Sequence, residues 1–234
     1  MLHKIPAKDI YTSKHDWLTS KFLFSFAEYH DADNISWGKL RVWNDDVIAP
    51  ESGFPMHSHA NFEIVTVVFE GELTHKDSLG NESTLQRGYI QHMSAGSGIT
   101  HSEYNNGKTP VELYQLWIAP NKRDIKPHYQ EKEIGFGTPG LHMLVSKDSH
   151  FESEPHLALP INANAKIFYG FLKEGETVNY ALESHDFVVV YIRTGHLAVG
   201  HVDVRAGDEL RIHNEAVLFA QAKEDTEFVA VVTW

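Results

Sequence analysis

No stretch of this chain carries a long apolar period of 3.6 residues with capping residues at its ends. Short alternating or β-branched segments recur instead, broken every few residues by turn signals, and that texture reads as antiparallel β. Candidate strands in the first half are Phe22–Tyr29, Leu40–Trp43, Glu63–Phe69, Glu72–Lys76 and Glu112–Ile118. Turn signals such as Asp77-Ser-Leu-Gly-Asn81 separate them, with glycine supplying the positive φ of a tight turn. In the second half Lys166–Leu172, Phe187–Arg193, His196–His201, Leu210–His213 and Phe228–Trp234 resume the pattern. Helices are expected to be few, short and peripheral, with Lys122–Glu133 as a candidate.

Between the two runs lies Ala119–Glu133, charged, proline-punctuated and poor in apolar residues, which reads as a crossing between two units. The division falls at about residue 125, giving units 1–125 and 126–234. Two packed antiparallel barrels or sandwiches fit this layout; one large sandwich is the competing arrangement.

Twenty Lys and Arg stand against 32 Asp and Glu, a net charge of −12. Without a basic cluster the chain is a poor partner for a polyanion, because phosphate contacts dominate that affinity, so direct nucleic-acid binding is not expected. A protein partner is compatible with this surface. No apolar run reaches membrane-spanning length and the N-terminal residues lack the apolar stretch of a secretion signal, so the expectation is no membrane and a cytoplasmic protein. There is no cysteine, which removes disulfides, thiolate ligands and a thiol nucleophile. The 16 histidines are the more telling count, since neutral imidazole is the commonest metal ligand.

Two histidine pairs stand out. His57-Ser-His59 follows Gly53-Phe-Pro-Met, and His101-Ser-Glu103 follows the glycine turn Gly96-Ser-Gly98. Side chains two apart on a strand share a face, so neighbouring strands would bring His57, His59, His101 and Glu103 around one point. A lone His-x-His is weak against a background of surface or hydrogen-bonded histidines; two pairs in β context behind glycines favour a metal site. Glu63 rivals Glu103. It has the parity of His59 but lies about 13 Å along a straight strand, so without a bulge it is expected to orient a ligand histidine from behind. The second half holds His185, His196, His201 and His213 with no such pair, and His150 and His156 precede it. One divalent ion per chain is therefore expected, in the first half. Phe54 and Phe62 flank the first pair and could stack on a planar ligand or sit in the core.

These residues resemble the cupin superfamily and, within it, the pirins. Gly53, His57, His59, Glu63 and Gly71 fit the first cupin signature; Gly88, Gly96, His101 and Asn105 fit the second, with two extra residues before the histidine. The run Ser94-Ala-Gly-Ser-Gly-Ile-Thr-His-Ser-Glu103 is similar to the pirin motif, as are Leu40–Asp46 and Glu70–Asn81. Ser58 and Ala60 stand where pirins commonly carry proline and arginine, and His92 where many carry Trp or Arg; these departures bear on pocket shape. The resemblance is closest to short bacterial pirin-like quercetin 2,3-dioxygenases. It implies a bicupin with metal only in the N-terminal barrel, held by His57, His59, His101 and Glu103. It also implies opening of a flavonol ring with O2 and release of carbon monoxide, Glu103 acting as base. Fe(II) is the favoured ion, with Ni, Mn, Co, Cu or Zn as substitutes. A pirin-type metal-sensing transcriptional coregulator without turnover is the alternative. A cupin isomerase is a third, and no pocket cluster of Arg or Lys near the motifs supports it.

Overall fold

The structure, a computed structural model, describes residues 1–147 and 158–234. His150 and His156 lie outside the described residues. The fold is an all-β bicupin built of four sheets. In the first half a seven-stranded sheet runs His128–Glu133, Tyr89–Ser94, Glu63–Glu70, Val111–Ile118, Leu40–Ile48, Leu18–Phe22, Tyr11–Lys14 in spatial order. A four-stranded sheet, Ser52–His59, Ile99–Asn105, Glu72–Asp77, Glu82–Gln86, belongs to the same half. The second half repeats the plan. Its larger sheet runs Leu2–Ile5, Glu209–His213, Phe187–Thr194, Thr226–Thr233, Ala165–Leu172, Gly140–Ser146, Leu159–Pro160. Its smaller one runs Thr177–Ala181, Val217–Ala222, His196–Val199, Val202–Arg205.

The larger sheets are covered on both faces. Along Glu63–Glu70, Val65, Val67 and Phe69 enter a core shared with Ile167, Tyr169, Val189, Tyr191 and Val229 of the second half. The intervening Ile64 and Val68 pack within the first half. Trp43, Tyr114 and Tyr191 meet at this seam with ring centroids 5.4–5.9 Å apart, and the Tyr191 hydroxyl donates to Asp45 at 2.9 Å. A two-sided sheet of this kind reads as a near-continuous apolar run, which is what Glu-Ile-Val-Thr-Val-Val-Phe-Glu shows.

Strand pairing crosses residue 125 in both directions. Leu2–Ile5 pairs with Glu209–His213 of the second half, and His128–Glu133 pairs with Tyr89–Ser94 of the first. The helix expected over Lys122–Glu133 is therefore absent: its latter half is a strand, completing an edge that would otherwise leave unpaired backbone groups. The one helical segment among the described residues is the short 3-10 turn Ala7–Asp9. The strand expected over Phe22–Tyr29 ends at Phe22, since the chain turns at Ala27 with φ +47° and folds on itself through Tyr29 N–H to the Phe26 carbonyl. Its aromatic residues mislead, because Phe26 caps the first half against Trp117 instead of joining a sheet. His196–His201 is likewise cut at Val199 by the turn at Gly200.

Candidate metal centre

The antiparallel pairing of Ser52–His59 with Ile99–Asn105 sets His57 directly opposite His101, and His59 opposite Ile99. The register then shifts, so that Glu103 faces Phe54. The extra residue between Phe54 and His57 lets both point inward, with rings 6.2 Å apart. Imidazole centroids of His57, His59 and His101 lie 4.5–4.9 Å from one another, and one ring nitrogen of each falls within 4.8 Å of the other two. Gly96, at φ +46°, makes the turn before the second pair; a Cβ there would stand 2.2 Å from the Ile125 carbonyl oxygen.

Hydrogen bonding fixes the tautomers. The Pro55 carbonyl, 2.7 Å away, can only accept, so His57 Nδ1 donates and Nε2 keeps its lone pair. His101 is 1% exposed and its Nδ1 lies 3.4 Å from Nδ1 of His75, whose Nε2 donates to Asp77 Oδ2 at 3.1 Å. With Nε2 donating to Asp77, His75 accepts at Nδ1 and His101 donates. That leaves His101 Nε2 as a buried lone pair with no protein partner. Burial first, then the neighbouring imidazoles, pushes His59 down to about 4 and His101 down to about 3, so both rings are neutral at neutral pH. Three converging imidazoles, two of them neutral, and an unpartnered buried nitrogen fit a divalent cation, which needs deprotonated ligands.

Glu103, 2% exposed, lies with His75 and His101 in a second close group. Its carboxylate accepts from Gln91 and, at 2.7 Å, from Gln115 Nε2. Gln115 accepts in turn from Trp117 Nε1 at 3.0 Å, and the Trp117 ring packs edge-on against His59 at 4.7 Å. Because both nitrogens of His75 are engaged, the group with free lone pairs is His57, His59 and His101.

Glu63 is elsewhere. It accepts from His92 Nε2 at 2.8 Å and Ser94 Oγ at 2.7 Å, and from the Asn162 backbone N–H of the second half at 3.2 Å. Burial raises its pKa, but these donors outweigh it and hold the carboxyl below its ordinary value. The expectation that Glu63 orients a ligand histidine is thus corrected: Glu63–Val67 pairs in unbroken register with Ile90–Ser94, and the strand's bulge lies beyond, at Phe69, so Glu63 turns to its cross-strand neighbours and orients His92. His92 is thus held by Glu63, and the Ser58 hydroxyl lies 3.2 Å from that of Thr100. Phe62 packs on Trp117 in a small core cluster, whereas Phe54 lines a cavity of about 270 Å³ beside the triad. Sequence reasoning missed His75 and the glutamines. Their signal was present in His75-x-Asp77, which repeats the two-residue spacing on the neighbouring strand.

This geometry defines a bicupin whose first half brings His57, His59 and His101 together, with Glu103 grouped instead with His101 and His75. Residues 5–118 match the model of the Pirin family and residues 143–231 that of the quercetinase C-terminal cupin domain. A pirin-like protein of Caulobacter vibrioides is 40% identical over 231 residues, 99% of each chain. The quercetin 2,3-dioxygenase of Escherichia coli K12 is 34% identical over 216 residues, 92% of this chain and 91% of that one. The crystal structure of the bacterial pirin YhhW of Escherichia coli in complex with nickel(II) matches at a TM-score of 0.93 and 31% identity, covering 100% and 99% of the chains. The chain belongs to the pirin family. Among the described residues no helix is long and apolar enough to cross a membrane.

Proposed function

We propose that the protein is a metal-dependent dioxygenase that opens a flavonol ring with O2, His57, His59 and His101 holding the ion and Glu103 serving as fourth ligand and general base. The observation that carries this reading is the buried, unpartnered lone pair of His101 beside the imidazoles of His57 and His59. Names of relatives support the substrate class. A divalent ion held by these residues, Fe(II) by preference, would supply Lewis acidity toward a flavonol hydroxyl and the redox chemistry that O2 requires. The protein's own part is acid–base and steric. Glu103 follows His101 on the inward face of Ile99–Asn105, and it takes the hydroxyl proton onto a carboxylate that Gln91 and Gln115 keep oriented. Phe54 and Trp117 bound the pocket and exclude water. The test is metal analysis of purified protein together with oxygen uptake on quercetin. About one ion per chain with oxygen consumption is the expected result. No uptake with Fe, Ni, Mn, Co or Cu would sink the enzyme and leave a non-catalytic coregulator.

A further inference from the structure

One row of inward-facing residues crosses the larger sheet of the first half. Register pairs Phe22 with Asn44, Asn44 with Gln115, Gln115 with Thr66, and Thr66 with Gln91. Three members of the row point polar atoms at Glu103. The fourth polar member, Asn44, does not. It is 4% exposed and its Oδ1 is buried with no hydrogen-bond partner. A buried carbonyl left unpaired costs stability that an apolar side chain on the same face would avoid, and a donor on a bound ligand would relieve it.

Asn44 lines the 270 Å³ cavity together with Asp46, Ser20, Trp17, Phe22, Phe26 and Phe54. The aromatic members form walls: Phe22 meets Phe26 edge-on at 5.3 Å, and Trp17 meets Phe54 edge-on at 5.0 Å. Phe54 meets the His57 ring at 6.2 Å and Phe26 meets Trp117 at 5.4 Å, so two walls of the cavity touch residues of the candidate metal centre. At just under the roughly 300–1,000 Å³ typical of small-molecule sites, it admits a ring or two. Its floor is polar, with the Ser20 hydroxyl donating to Asp46.

We infer that this cavity seats a hydroxylated aromatic ring of the substrate, clasped between Phe22, Phe26, Phe54 and Trp17, and that the Asn44 amide, backed by Asp46, recognises its phenolic hydroxyl. The inference rests on the dioxygenase reading for its substrate class. It adds the residues that select among flavonols. An apolar slot alone would bind bare and hydroxylated rings alike, whereas an unpaired buried carbonyl penalises any ring that leaves it unpaired.

The test measures equilibrium affinity under nitrogen on the metal-loaded protein, using quercetin and 3-hydroxyflavone, which keeps the metal-binding hydroxyl and lacks the others. Wild-type protein is expected to prefer quercetin about tenfold or more. Asn44→Leu is expected to erase that preference, raising Kd for quercetin about tenfold while Kd for 3-hydroxyflavone stays within about twofold. Phe26→Ala should weaken both ligands alike. Equal binding of the two by the wild type, or an undiminished preference in Asn44→Leu, overturns the inference; the wild-type comparison decides even if that variant does not fold. Oxygen uptake separates the two readings. Turnover without the preference sinks only the recognition role, and preference without turnover sinks only the dioxygenase.

Discussion

Nδ1 of His75 lies 3.4 Å from Nδ1 of His101, and on its far side His75 is anchored to Asp77 at 3.1 Å. The carboxylate therefore sets the tautomer of a candidate metal ligand through an intervening imidazole. His75 is 0% exposed and stacks on Tyr129 at 4.4 Å, so its ring has little freedom to rotate.

Removing this support should loosen the ion without removing a ligand. Asp77→Asn and His75→Phe are expected to weaken metal affinity about 10–100-fold, the range found when partners behind ligand histidines are lost. Competition with a chromophoric chelator measures it. Affinity within about twofold of wild type in both variants would show that His101 needs no such support.

Gly53 makes a different kind of contact. A Cβ at this position would stand 2.3 Å from the Glu103 carbonyl oxygen and 2.6 Å from Tyr104 Cα. Gly53→Ala must push apart the two strands that carry the ligand pairs, at a cost of about 1–3 kcal/mol. Urea unfolding should show the loss, and metal content should fall with it. A variant as stable and metal-loaded as wild type would mean the strands part freely.

The convergence of His57, His59 and His101 was legible in the sequence because strand parity is local: the candidate pairs His57 with His59 and His101 with Glu103 each need only two-residue spacing. What escaped depends on which strands become neighbours. His75 enters the site only because Glu72–Asp77 pairs with Ile99–Asn105, and Asn44 only because Leu40–Ile48 lies beside Val111–Ile118. Phe22–Tyr29 failed for the opposite reason, since its β-favouring aromatic residues serve a turn that closes the end of a barrel. The exchange of Leu2–Ile5 and His128–Glu133 between halves leaves no trace in composition at all.

Asp46 gives the fold a pH signature. Burial, only partly relieved by the Ser20 hydroxyl and reinforced by Asp45 and Glu103, pushes its carboxyl up from 3.8 to about 7. A raised acid favours folding in its protonated form, so its contribution is complete below the ordinary carboxylate range. That contribution fades as pH rises from about 4 to about 7, leaving a buried charge above. Asp46→Asn should therefore gain stability over wild type at pH 8, on the order of a few kcal/mol, and gain little at pH 4. Urea midpoints at both pH values test this. An equal difference at the two would place Asp46 among ordinary carboxylates.

The two buried glutamates of the first half should separate cleanly when each is changed. Glu63 touches His92, Ser94 and Asn162 N–H and no member of the histidine triad. Glu63→Ala strands those donors, so it should cost about 3 kcal/mol of stability while folded protein keeps its metal affinity. Glu103 is the base in the proposed reaction. Glu103→Gln preserves shape and much of the contact with Gln91 and Gln115 but removes charge and basicity. Three imidazoles should still hold an ion, more weakly, while flavonol turnover falls about 10²–10⁴-fold, as for a lost general base. His57→Ala should instead lower metal content and turnover together. If Glu103→Gln, loaded to full metal occupancy, turns over at the wild-type rate, the proton has another acceptor and Glu103 is at most a ligand. If Glu63→Ala loses metal while remaining folded, the assignment of the two glutamates is reversed.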